Sequence, residues 1–424
     1  MSIKRYDVVV IGSGPGGLAA AIAAKENGAR SVLLIERDVE LGGILLQCIH
    51  NGFGVEIFKE DLPGPTYAQR FIDQVAQLGI ETMLDTMVLN LTADRHLTLT
   101  SNTHGYQQIT ADAVVLAMGC RERTRAQVRL PGTRPAGVYT AGTAQRWVNV
   151  EGYMPGKKFV ILGSGDIGMI MARRLTFEGA KVERVLEIMP YLSGLTRNYV
   201  QCLQDFDIPL KLQHTVKRII GIDRVEAVET VAVDEKWQHI PGSEETIACD
   251  TLLLSVGLIP ENELSRQAGV QLHPLTGGPV VDANFHTSVP GIFAAGNVVH
   301  VYDLVDWVTE AGYAAGKAAA CYARAQLPSS SHLVSTSAGD NVRYIVPHHL
   351  DPEQLQSGKI PLQMRVTRPI ENPVWVEALV GDERITRRAL PYARPGEMIT
   401  LDLKPEHHQI MEHADTLTIR IRER

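Results

Sequence analysis

Three glycines and a glutamate near the N-terminus have the types and spacing that bind a nucleotide. Gly12, Gly14 and Gly17 follow a short apolar run and open an alanine-rich segment, and a second apolar run then ends at Glu36. In this pattern the first glycine permits a tight turn, the second lets a pyrophosphate approach the backbone, and the third lets helix and strand pack closely. The helix N-terminus holds the phosphates through its N–H groups and dipole. Glu36 is placed to bind the ribose hydroxyls, so residues 6–37 predict a β-α-β nucleotide-binding unit.

The same pattern recurs from residue 159 onward. Gly163, Gly165 and Gly168 open a second helix pattern, and the next apolar run ends at Glu187. The step from first glycine to glutamate is 24 residues in both copies, and both copies later contain a similar motif, DAVVLAMG in the first and DTLLLSVG in the second. A duplicated nucleotide-binding fold is therefore predicted. Two different nucleotides, or one donor and one flavin, are expected.

Three residues with chemical potential lie in LGGILLQCIHNGFG, residues 41–54, which is predicted to be a loop that runs close to something flat. Cys48 could be a lone redox thiol or a small buried hydrophobic residue, and His50 could donate a proton or be a hydrogen-bonded loop histidine. Asn51 completes this candidate catalytic set. We favour the buried interpretation of Cys48, because a reactive thiolate needs nearby positive charge and the local sequence supplies none.

Composition excludes several classes of protein. The chain has 424 residues, enough for two or three domains, and its formal net charge of −7 argues against nucleic acid or an anionic membrane as a partner. No apolar run approaches the roughly 20 residues that span a bilayer, and the N-terminus lacks the apolar region of a signal peptide, so no transmembrane segment and a cytoplasmic localisation are expected. The five cysteines are scattered and contain no C-x-x-C pair, which argues against a disulfide scaffold, a zinc knuckle or an iron–sulfur cluster of the usual spacing.

The remaining elements must position these motifs. A strand is predicted over residues 83–91, and a long helix rich in alanine and glycine over 304–327; its few bulky side chains imply tight packing against another element. A serine-rich linker is predicted over 328–340. From residue 341 apolar residues alternate with period two, which predicts a small all-β domain, sandwich-like, with a hairpin turn at Gly381-Asp382.

Five histidines in that last domain are interpreted as solvated side chains. They form the pairs His348-His349 and His407-His408, with His413 close by. Because adjacent residues on a strand face opposite ways, these pairs do not make a metal site, and no metal is expected.

The motifs together resemble a known family. GSGPGG with Glu36, the internal GSGDIG, the LSVGLIP strand end and the AAGN segment before the long helix resemble the two-dinucleotide-domain flavoproteins, especially the thioredoxin-reductase-like branch, over about residues 5–327. The resemblance implies an α/β fold with two Rossmann-like domains, the second inserted in the first, plus the β domain. It implies FAD on the first and NAD(P)H on the second. The implied domains are 1–120 with 265–327 for FAD, 121–264 for NAD(P), the linker 328–340, and 341–424.

The resemblance also implies the binding residues. For FAD they are Gly12, Gly14, Pro15, Gly17, Glu36, Arg37, Gly43, Val88, Ala117, Gly119, Gly296, Asn297 and Trp307. For the pyridine nucleotide they are Gly163, Gly165, Ile167, Gly168, Glu187 and Gly257. Val88 is expected to present its backbone to the adenine, and the start of the long helix is expected to point N–H groups at flavin N1 and O2. Glu187 at the ribose favours NAD over NADP.

The departures from the family concern sulfur and charge. Thioredoxin reductases carry C-A-T-C where this chain has Ala141 and Ala144 in place of the two cysteines, and the C-x-x-x-x-C of lipoamide dehydrogenases is reduced to Cys48. Without a dithiol, a disulfide-reductase mechanism has no electron relay. The family's GD motif appears as Gly296-Asn297, so its charge is missing.

Other segments look more like a particular group of relatives. GILLQCIHNGFG, GVYTAG and EIMPYLSGLTRN are similar to the oxidoreductase subunits that accompany glycerol-3-phosphate dehydrogenase, and to the small subunits of opine and proline dehydrogenases and hydrogen cyanide synthase. The implied function is an FAD-dependent NAD(H) oxidoreductase that transfers electrons for a glycerol-3-phosphate-type dehydrogenase complex, with a partner dehydrogenase subunit and a homo- or hetero-oligomeric state. Two alternatives are a stand-alone NADH oxidase or peroxidase using Cys48, and a flavin-containing assembly module whose β domain binds a partner.

Overall fold

The computed structural model describes residues 3–328 and 332–424. The chain divides into two compact units, Met1–Cys120 with Pro260–Arg424, and Arg121–Ile259. The helices are α1 (Pro15–Glu26), α2 (Gly64–Gln77), α3 (Ala141–Arg146), α4 (Asp166–Phe177), α5 (Thr196–Cys202), α6 (Glu263–Gln267), α7 (Val305–Ala323) and α8 (His408–Met411). Strands alternate with these helices in both units, so the predicted α/β class is confirmed.

The strands are numbered along the chain. In residues 3–122 they are β1 (Lys4–Ile11), β2 (Val32–Ile35), β3 (Asn51–Phe53), β4 (Leu62–Pro63), β5 (Glu81–Met83), β6 (Thr86–Leu91), β7 (His96–Ser101), β8 (Gly105–Leu116) and β9 (Cys120–Glu122). The middle of the chain contains β10 (Val138–Thr140), β11 (Lys158–Leu162), β12 (Lys181–Leu186), β13 (Leu210–Lys211), β14 (His214–Ile220), β15 (Ala227–Ala232), β16 (Glu245–Ala248), β17 (Thr251–Leu254) and β18 (Leu258–Pro260). The rest are β19 (Ile292–Ala294), β20 (Val334–Ala338), β21 (Val342–Val346), β22 (His349–Leu350), β23 (Ile360–Val366), β24 (Val374–Val380), β25 (Glu383–Leu390), β26 (Ile399–Leu403) and β27 (Thr416–Glu423).

The first unit is built on a seven-stranded sheet in the order β5-β2-β1-β8-β7-β6, with β19 also paired to β8. Strands β5, β2, β1, β8 and β19 pair in parallel, and β8, β7 and β6 form an antiparallel meander. Strands β2 and β19 are short apolar runs that are buried throughout, and β1 and β8 end in such runs, as parallel strands covered by helices do. The glycine motif therefore lies at the carboxyl end of β1, where parallel sheets bind their ligands.

Helices α1 and α7 pack closely against each other through small residues. A Cβ built on Gly312 would lie 2.3 Å from the carbonyl oxygen of Gly16, and one on Gly316 would lie 2.1 Å from that of Ala20. The tight packing predicted from the alanine- and glycine-rich composition is therefore confirmed, with α1 as the partner. The helix spans Val305–Ala323, four residues shorter at its end than the pattern predicted.

The second unit repeats this plan. Its five-stranded sheet has the order β10-β17-β11-β12-β13, and all of these strands are parallel. Strands β14, β15 and β16, which come between β13 and β17 in the chain, form a separate antiparallel sheet. Strand β11 leads into α4 through the second glycine motif, and β12 ends one residue before Glu187. The predicted duplication is thus present as two sheets in which a parallel strand leads into the same glycine turn.

The C-terminal region consists of a five-stranded sheet, β22-β20-β27-β24-β25, and a three-stranded sheet, β21-β23-β26. The hairpin predicted at Gly381-Asp382 joins β24 to β25, and the alternating apolar residues of β23, β26 and β27 are buried in one core. Val334–Ala338, which the sequence analysis placed in the linker, forms β20, while residues 329–331 of that linker lie outside the described residues. The domain boundaries themselves stay predictions.

Two local predictions were wrong. Residues 83–91 do not form one strand, because β5 ends at Met83 and β6 begins at Thr86, with Asp85 between them at φ +46°. The stretch 41–54 is not all loop: it contains a 3₁₀ helix, Gly43–Gln47, and the short strand β3. None of the helices in residues 3–328 and 332–424 combines the length and apolar character that crossing a bilayer requires.

Candidate functional site

The first glycine turn has the geometry of a phosphate cradle. Gly12 has φ +97°, and a Cβ on it would lie 2.5 Å from the carbonyl oxygen of Ala117. A Cβ on Gly17 would lie 1.8 Å from the oxygen of Gly12. A Cβ on Gly14, by contrast, would meet no other part of the described chain within 4 Å. The two outer glycines therefore hold the turn together, and Gly14 faces open space at the start of α1, where Pro15 is the first helical residue.

Open space over Gly14 is what a nucleotide pyrophosphate requires. Gly14 is the N-cap of α1 and has no side chain to cap it, and the first N–H groups of a helix have no acceptor within the helix. These donors and the positive end of the helix dipole suit a diphosphate. The backbone of Gly43, at the start of the 3₁₀ helix, lies close to that of Gly14, since a Cβ on Gly43 would lie 3.0 Å from the Cα of Gly14. The residues present therefore fit an FAD diphosphate.

Glu36 is tied to the glycine turn itself. Its Oε2 accepts hydrogen bonds from the backbone N–H of Ser13 at 2.9 Å and from the Ser13 hydroxyl at 2.6 Å. Its Oε1 accepts one from the N–H of Asp38 at 2.9 Å. A carboxylate can accept about four hydrogen bonds, so a ribose hydroxyl can still donate to it. The predicted ribose contact stays a prediction, and the contact with Ser13 is an additional role that holds β2 to the turn.

The second copy has the same contact. Glu187 Oε2 accepts hydrogen bonds from the Ser164 N–H at 2.9 Å, from the Ser164 hydroxyl at 2.6 Å and from the Ser193 hydroxyl at 2.8 Å. A Cβ on Gly163 would lie 2.1 Å from the oxygen of Ser255, so this turn packs directly against the residue that follows β17. The roles of Ser13 and Ser164 were not predicted from the sequence. Their signal was the shared GSG of the two motifs, in which only the glycines were considered.

A cavity of about 470 Å³ opens directly after Glu187. Its lining residues come from the loop after β12, the turn between β13 and β14, and the segment between β15 and β16, and they are Ile188, Met189, Pro190, Tyr191, Gln213, Asp234, Glu235 and Trp237. This lining contains two carboxylates and no lysine or arginine. The cavity lies next to Glu187, which is predicted to bind the ribose, so we predict that it holds the adenosine end of a nucleotide without a 2′-phosphate. Sequence reasoning did not find this segment between β15 and β16.

The remaining residues of the predicted pyridine-nucleotide set lie around the second turn. Gly165 is the N-cap of α4, with Ile167 and Gly168 in the first turn of that helix. A Cβ on Gly168 would lie 2.6 Å from the Cβ of Ser255, so helix and strand pack as closely here as in the first copy. Gly257 has φ +100° and accepts a backbone hydrogen bond from Arg123 at 3.0 Å.

Three of the other residues predicted for FAD lie within the first sheet or shortly after one of its strands. Gly119 has φ +72° and accepts a backbone hydrogen bond from Glu261 at 3.0 Å. Arg37 pairs with the Glu261 carboxylate at 3.2 Å. Val88 is buried in β6, the last strand at its end of the sheet, and pairs with Leu99 of β7. Its predicted contact with adenine stays a prediction.

The candidate catalytic loop is closely packed at Cys48. A Cβ on Gly64 would lie 2.7 Å from the Cys48 oxygen and 2.9 Å from its Cβ. Burial raises the pKa of the Cys48 thiol to about 12, so it is protonated at neutral pH. His50 Nδ1 lies 2.9 Å from the oxygen of Asn51, and the Asn51 amide donates to the oxygen of Asp61 at 3.3 Å. The raised pKa favours the unreactive interpretation of Cys48 over the alternative of a redox thiol, while the roles of His50 and Asn51 stay predictions.

The segment after β19 leads from Gly296-Asn297 to α7. The Asn297 Oδ1 accepts a hydrogen bond from the N–H of Tyr302 at 3.1 Å, which folds the segment back on itself. At the start of α7 the Trp307 indole N–H donates to Glu56 at 3.0 Å, and Asp306 accepts from the N–H of Ile57 at 3.1 Å. The loop at 56–57 is thus held against the first turn of the helix.

The C-terminal region holds the same segment from the other side. Arg365 of β23 forms an ion pair with Asp303 and donates to the oxygen of Val301 at 3.2 Å. Asp303 also accepts from the N–H of Met398. Sequence reasoning could not find this contact, because the partners are about 60 residues apart and show no shared pattern. The C-terminal region therefore helps to position the start of α7.

The positions where relatives carry a dithiol are filled by small side chains. Ala141 and Ala144 are fully buried in α3, and the N–H of Gly142 donates to the Glu122 carboxylate at 2.8 Å. The five cysteines, all within the described residues, form no disulfide with one another.

The histidines of the C-terminal region are only partly solvated, contrary to the prediction. His348 and His407 are buried. Each accepts a backbone hydrogen bond at Nδ1, from Val281 at 3.1 Å and from Lys404 at 3.0 Å, which is a structural role. Within the described residues, no three His, Cys, Asp or Glu side chains come together to hold a metal ion.

The sequence of this chain is similar to those of known proteins. The family model for pyridine nucleotide-disulphide oxidoreductases matches residues 6–318. An opine oxidase subunit from Agrobacterium tumefaciens is 26% identical over 310 residues, covering 69% of this chain and 61% of that protein. The HcnB subunit of hydrogen cyanide synthase from Pseudomonas protegens is 28% identical over 285 residues, covering 62% of this chain and 59% of that protein. The chain thus spans about three fifths of the length of these curated relatives.

A solved structure of thioredoxin reductase from T. acidophilum matches with a TM-score of 0.62 and 23% identity, covering 76% of this chain and 99% of that one. At this identity the match shows the fold alone. The predicted similarity to opine oxidase, hydrogen cyanide synthase and thioredoxin-reductase-like proteins is confirmed. None of these matches carries the link to glycerol-3-phosphate dehydrogenase, which stays a hypothesis.

Proposed function

Because the chain belongs to the pyridine nucleotide-disulphide oxidoreductase family, whose members use FAD and NAD(P)H, we propose that it is an FAD-dependent oxidoreductase of NAD(H). Bound flavin would supply hydride exchange with a nicotinamide. The observation that carries the proposal is the pair of glycine turns, each closed by a serine–glutamate contact and each beginning a helix whose N-cap is glycine. One nucleotide-binding turn in each unit is what a two-cofactor hydride transfer needs.

In this proposal the residues of each turn bind and orient a nucleotide. Gly14 and Gly43 leave room for the diphosphate beside the start of α1, and Gly296 and Asn297 border the flavin end. On the second unit Gly165 leaves room for the other diphosphate. Glu187, Asp234 and Glu235 would repel a 2′-phosphate, which supports NAD as the preferred nucleotide.

Electrons would be exchanged with a partner subunit, since the positions of the relatives' dithiol hold Ala141 and Ala144. Relatives of this chain are named as subunits, of opine oxidase and of hydrogen cyanide synthase. We therefore propose an electron-transferring subunit in the cytoplasm, paired with a dehydrogenase subunit that oxidises glycerol 3-phosphate. The motifs in 41–54 and 187–198 support that choice of substrate. The high thiol pKa of Cys48 disfavours the alternative of a single-cysteine NADH oxidase or peroxidase.

Two measurements test the proposal. Purified protein, loaded with FAD and mixed anaerobically with NADH, should lose its absorbance near 450 nm; a spectrum that stays unchanged with both NADH and NADPH would refute the oxidoreductase. A tagged chain purified from its native source should then bring down a subunit that reduces a dye with glycerol 3-phosphate. If the flavin is reduced but the complex oxidises a different substrate, the electron-transfer role stands and the glycerol-3-phosphate assignment fails.

A further inference from the structure

The outer face of the C-terminal five-stranded sheet concentrates positive charge. Glu377 of β24 is fully buried beneath three arginines: Arg384 lies 3.0 Å from its Oε1, Arg420 2.9 Å from its Oε2, and Arg422 3.1 Å from its Oε1. The cross-strand register places Glu377 opposite Arg420, so the carboxylate and the arginines share one face of the sheet. One acidic side chain is therefore shared by three guanidinium groups.

Two more arginines lie on the same face. The guanidinium carbons of Arg387 and Arg424 lie 4.1 Å and 4.4 Å from the ring centroid of Trp375, close enough for cation–π attraction. Trp375 is two residues before Glu377 on β24 and points the same way. We call the set Arg384, Arg387, Arg420, Arg422 and Arg424 the arginine face.

This concentration of charge exceeds what the fold needs. One arginine would neutralise Glu377, so five arginines leave four positive charges crowded together in a chain whose formal net charge is −7. Like charges at this spacing repel one another, which disfavours the isolated face. The contacts with Glu377 and Trp375 also hold the guanidinium groups in fixed positions, so they lose little freedom when they bind carboxylates in bidentate geometry. The face is preorganised for an anionic surface.

The composition of the face indicates which anionic surface it is. Trp375 has arginines stacked on its ring and is not available for stacking with a nucleic-acid base. Within described residues 334–424, no large apolar side chain is strongly exposed for insertion into a lipid bilayer. The two lysines of the C-terminal region, Lys359 and Lys404, lie elsewhere than on these strands. Arginine and tryptophan without lysine are typical of the cores of protein–protein interfaces.

We propose that the arginine face docks a surface of a protein partner that is rich in aspartate and glutamate. Resting on the proposed function, that partner is the dehydrogenase subunit of the complex. The face thereby gives the C-terminal region a second role, besides holding the segment before α7.

The test uses the FAD-loaded full chain and two matched double variants. Arg387→Gln/Arg424→Gln removes two charges without placing a carboxylate opposite Glu377, and leaves the three arginine partners of Glu377 in place. Arg343→Gln/Arg368→Gln is the control, because both residues are exposed in the same region and lie off the three strands of the face. Both variants should keep the melting temperature and the bleaching by NADH of the parent chain.

Binding is measured against the dehydrogenase subunit recovered with the tagged chain, at 50 mM and 300 mM NaCl, and against poly-L-glutamate, a 20-base-pair DNA duplex and phosphatidylglycerol vesicles. The face variant should bind both the subunit and poly-L-glutamate at least about tenfold more weakly at low salt, and the control should match the parent. Equal binding by the face variant and the parent would overturn the proposal, and so would tighter binding of DNA or vesicles than of poly-L-glutamate. If no subunit is recovered, the proposed complex fails, while poly-L-glutamate still decides the docking surface.

Discussion

Arg365 in the C-terminal region forms an ion pair with Asp303, two residues before α7 begins, and both side chains are largely buried. The same guanidinium donates to the backbone oxygens of Val301 and Pro395. The segment between Asn297 and α7 is therefore held by the C-terminal region as well as by the hydrogen bond between Asn297 and Tyr302. That segment is predicted to border the flavin, so we predict that the C-terminal region helps to position the flavin site.

Replacing Arg365 with methionine should destabilise the protein strongly. Asp303 would then be buried without its partner, a change that costs about 3–5 kcal/mol in comparable cases. Urea unfolding should show this loss, and the purified variant should retain less FAD, measured as the ratio of absorbance at 450 nm to that at 280 nm. The double variant Arg365→Met/Asp303→Leu removes both charges and should recover most of the stability. An Arg365→Met variant as stable as the parent would show that the ion pair does not hold the segment.

Gly12 and Gly14 are two residues apart but should respond differently to alanine. Gly14 has open space around it and φ −65°, so Gly14→Ala should leave the melting temperature within about 1 °C of the parent while weakening FAD binding at least about tenfold. Gly12→Ala must adopt φ +97° with its Cβ 2.5 Å from a backbone oxygen, so it should destabilise the apoprotein by about 2 kcal/mol or more, on the order expected for strained backbone.

Gly358→Ala is the control for this pair, since that glycine also has no neighbour within 4 Å in the described chain and lies in the C-terminal region. Apoprotein melting is followed by circular dichroism, and FAD affinity by quenching of flavin fluorescence. Normal FAD affinity in Gly14→Ala would contradict the assignment of this turn to the pyrophosphate.

Features that depend on short-range pattern were predictable from the sequence. The glycine turns, the helices after them and the hairpin at Gly381-Asp382 each follow from residues within a few positions of one another. The Ser13–Glu36 contact was missed although both residues lie in the motif, because only a folded turn brings the hydroxyl to the carboxylate. The break between β5 and β6 was missed because Asp85 adopts a left-handed conformation that the apolar pattern around it does not indicate.

Features that depend on distant residues were not predictable. Arg365 lies in β23 and Asp303 in the loop before α7, and neither has a local sequence signal. The carboxylates of the cavity after Glu187 come from a segment more than 40 residues further along the chain. The arginines around Glu377 have no local signal, because they reach one face only after β27 and β25 pair with β24. Arg384 and Arg387 share that face because the pairing shifts register between Ala378 and Leu379.

The Cys48 thiol should react as a half-buried, protonated group. Because burial raises its pKa to about 12, the thiolate fraction should increase about tenfold per pH unit from pH 7 to pH 10 without reaching a plateau. The rate of iodoacetamide labelling of the Cys48 peptide, followed by mass spectrometry, should show the same slope. Cys48→Ser should keep NADH–dye turnover within about twofold of the parent. A labelling rate that levels off below pH 8, together with loss of turnover in the serine variant, would instead support the single-cysteine oxidase or peroxidase.

The preference for NAD should depend on Glu235 more cleanly than on Glu187. Glu187 also holds the second glycine turn through Ser164, so its replacement would disturb the binding of either nucleotide. Glu235 is exposed at the cavity, and its carboxylate is available to repel a 2′-phosphate. Removing one such charge near a phosphate at the surface is worth about 1 kcal/mol, which corresponds to about a fivefold change. Glu235→Gln should therefore raise kcat/KM for NADPH about fivefold and leave that for NADH nearly unchanged.

The matched control for this change is Glu226→Gln, which removes an exposed carboxylate of the same unit outside the cavity lining. Both variants are compared by stopped-flow reduction of bound FAD with each nucleotide at low and high salt. The gain for NADPH should shrink at high salt, because screening weakens a repulsion between exposed charges. If Glu226→Gln produced the same gain, the effect would come from the net charge of the unit. If neither variant changed the ratio, the cavity would not be where the 2′-position of the ribose lies, and the preference for NAD would have to be explained by Glu187 alone.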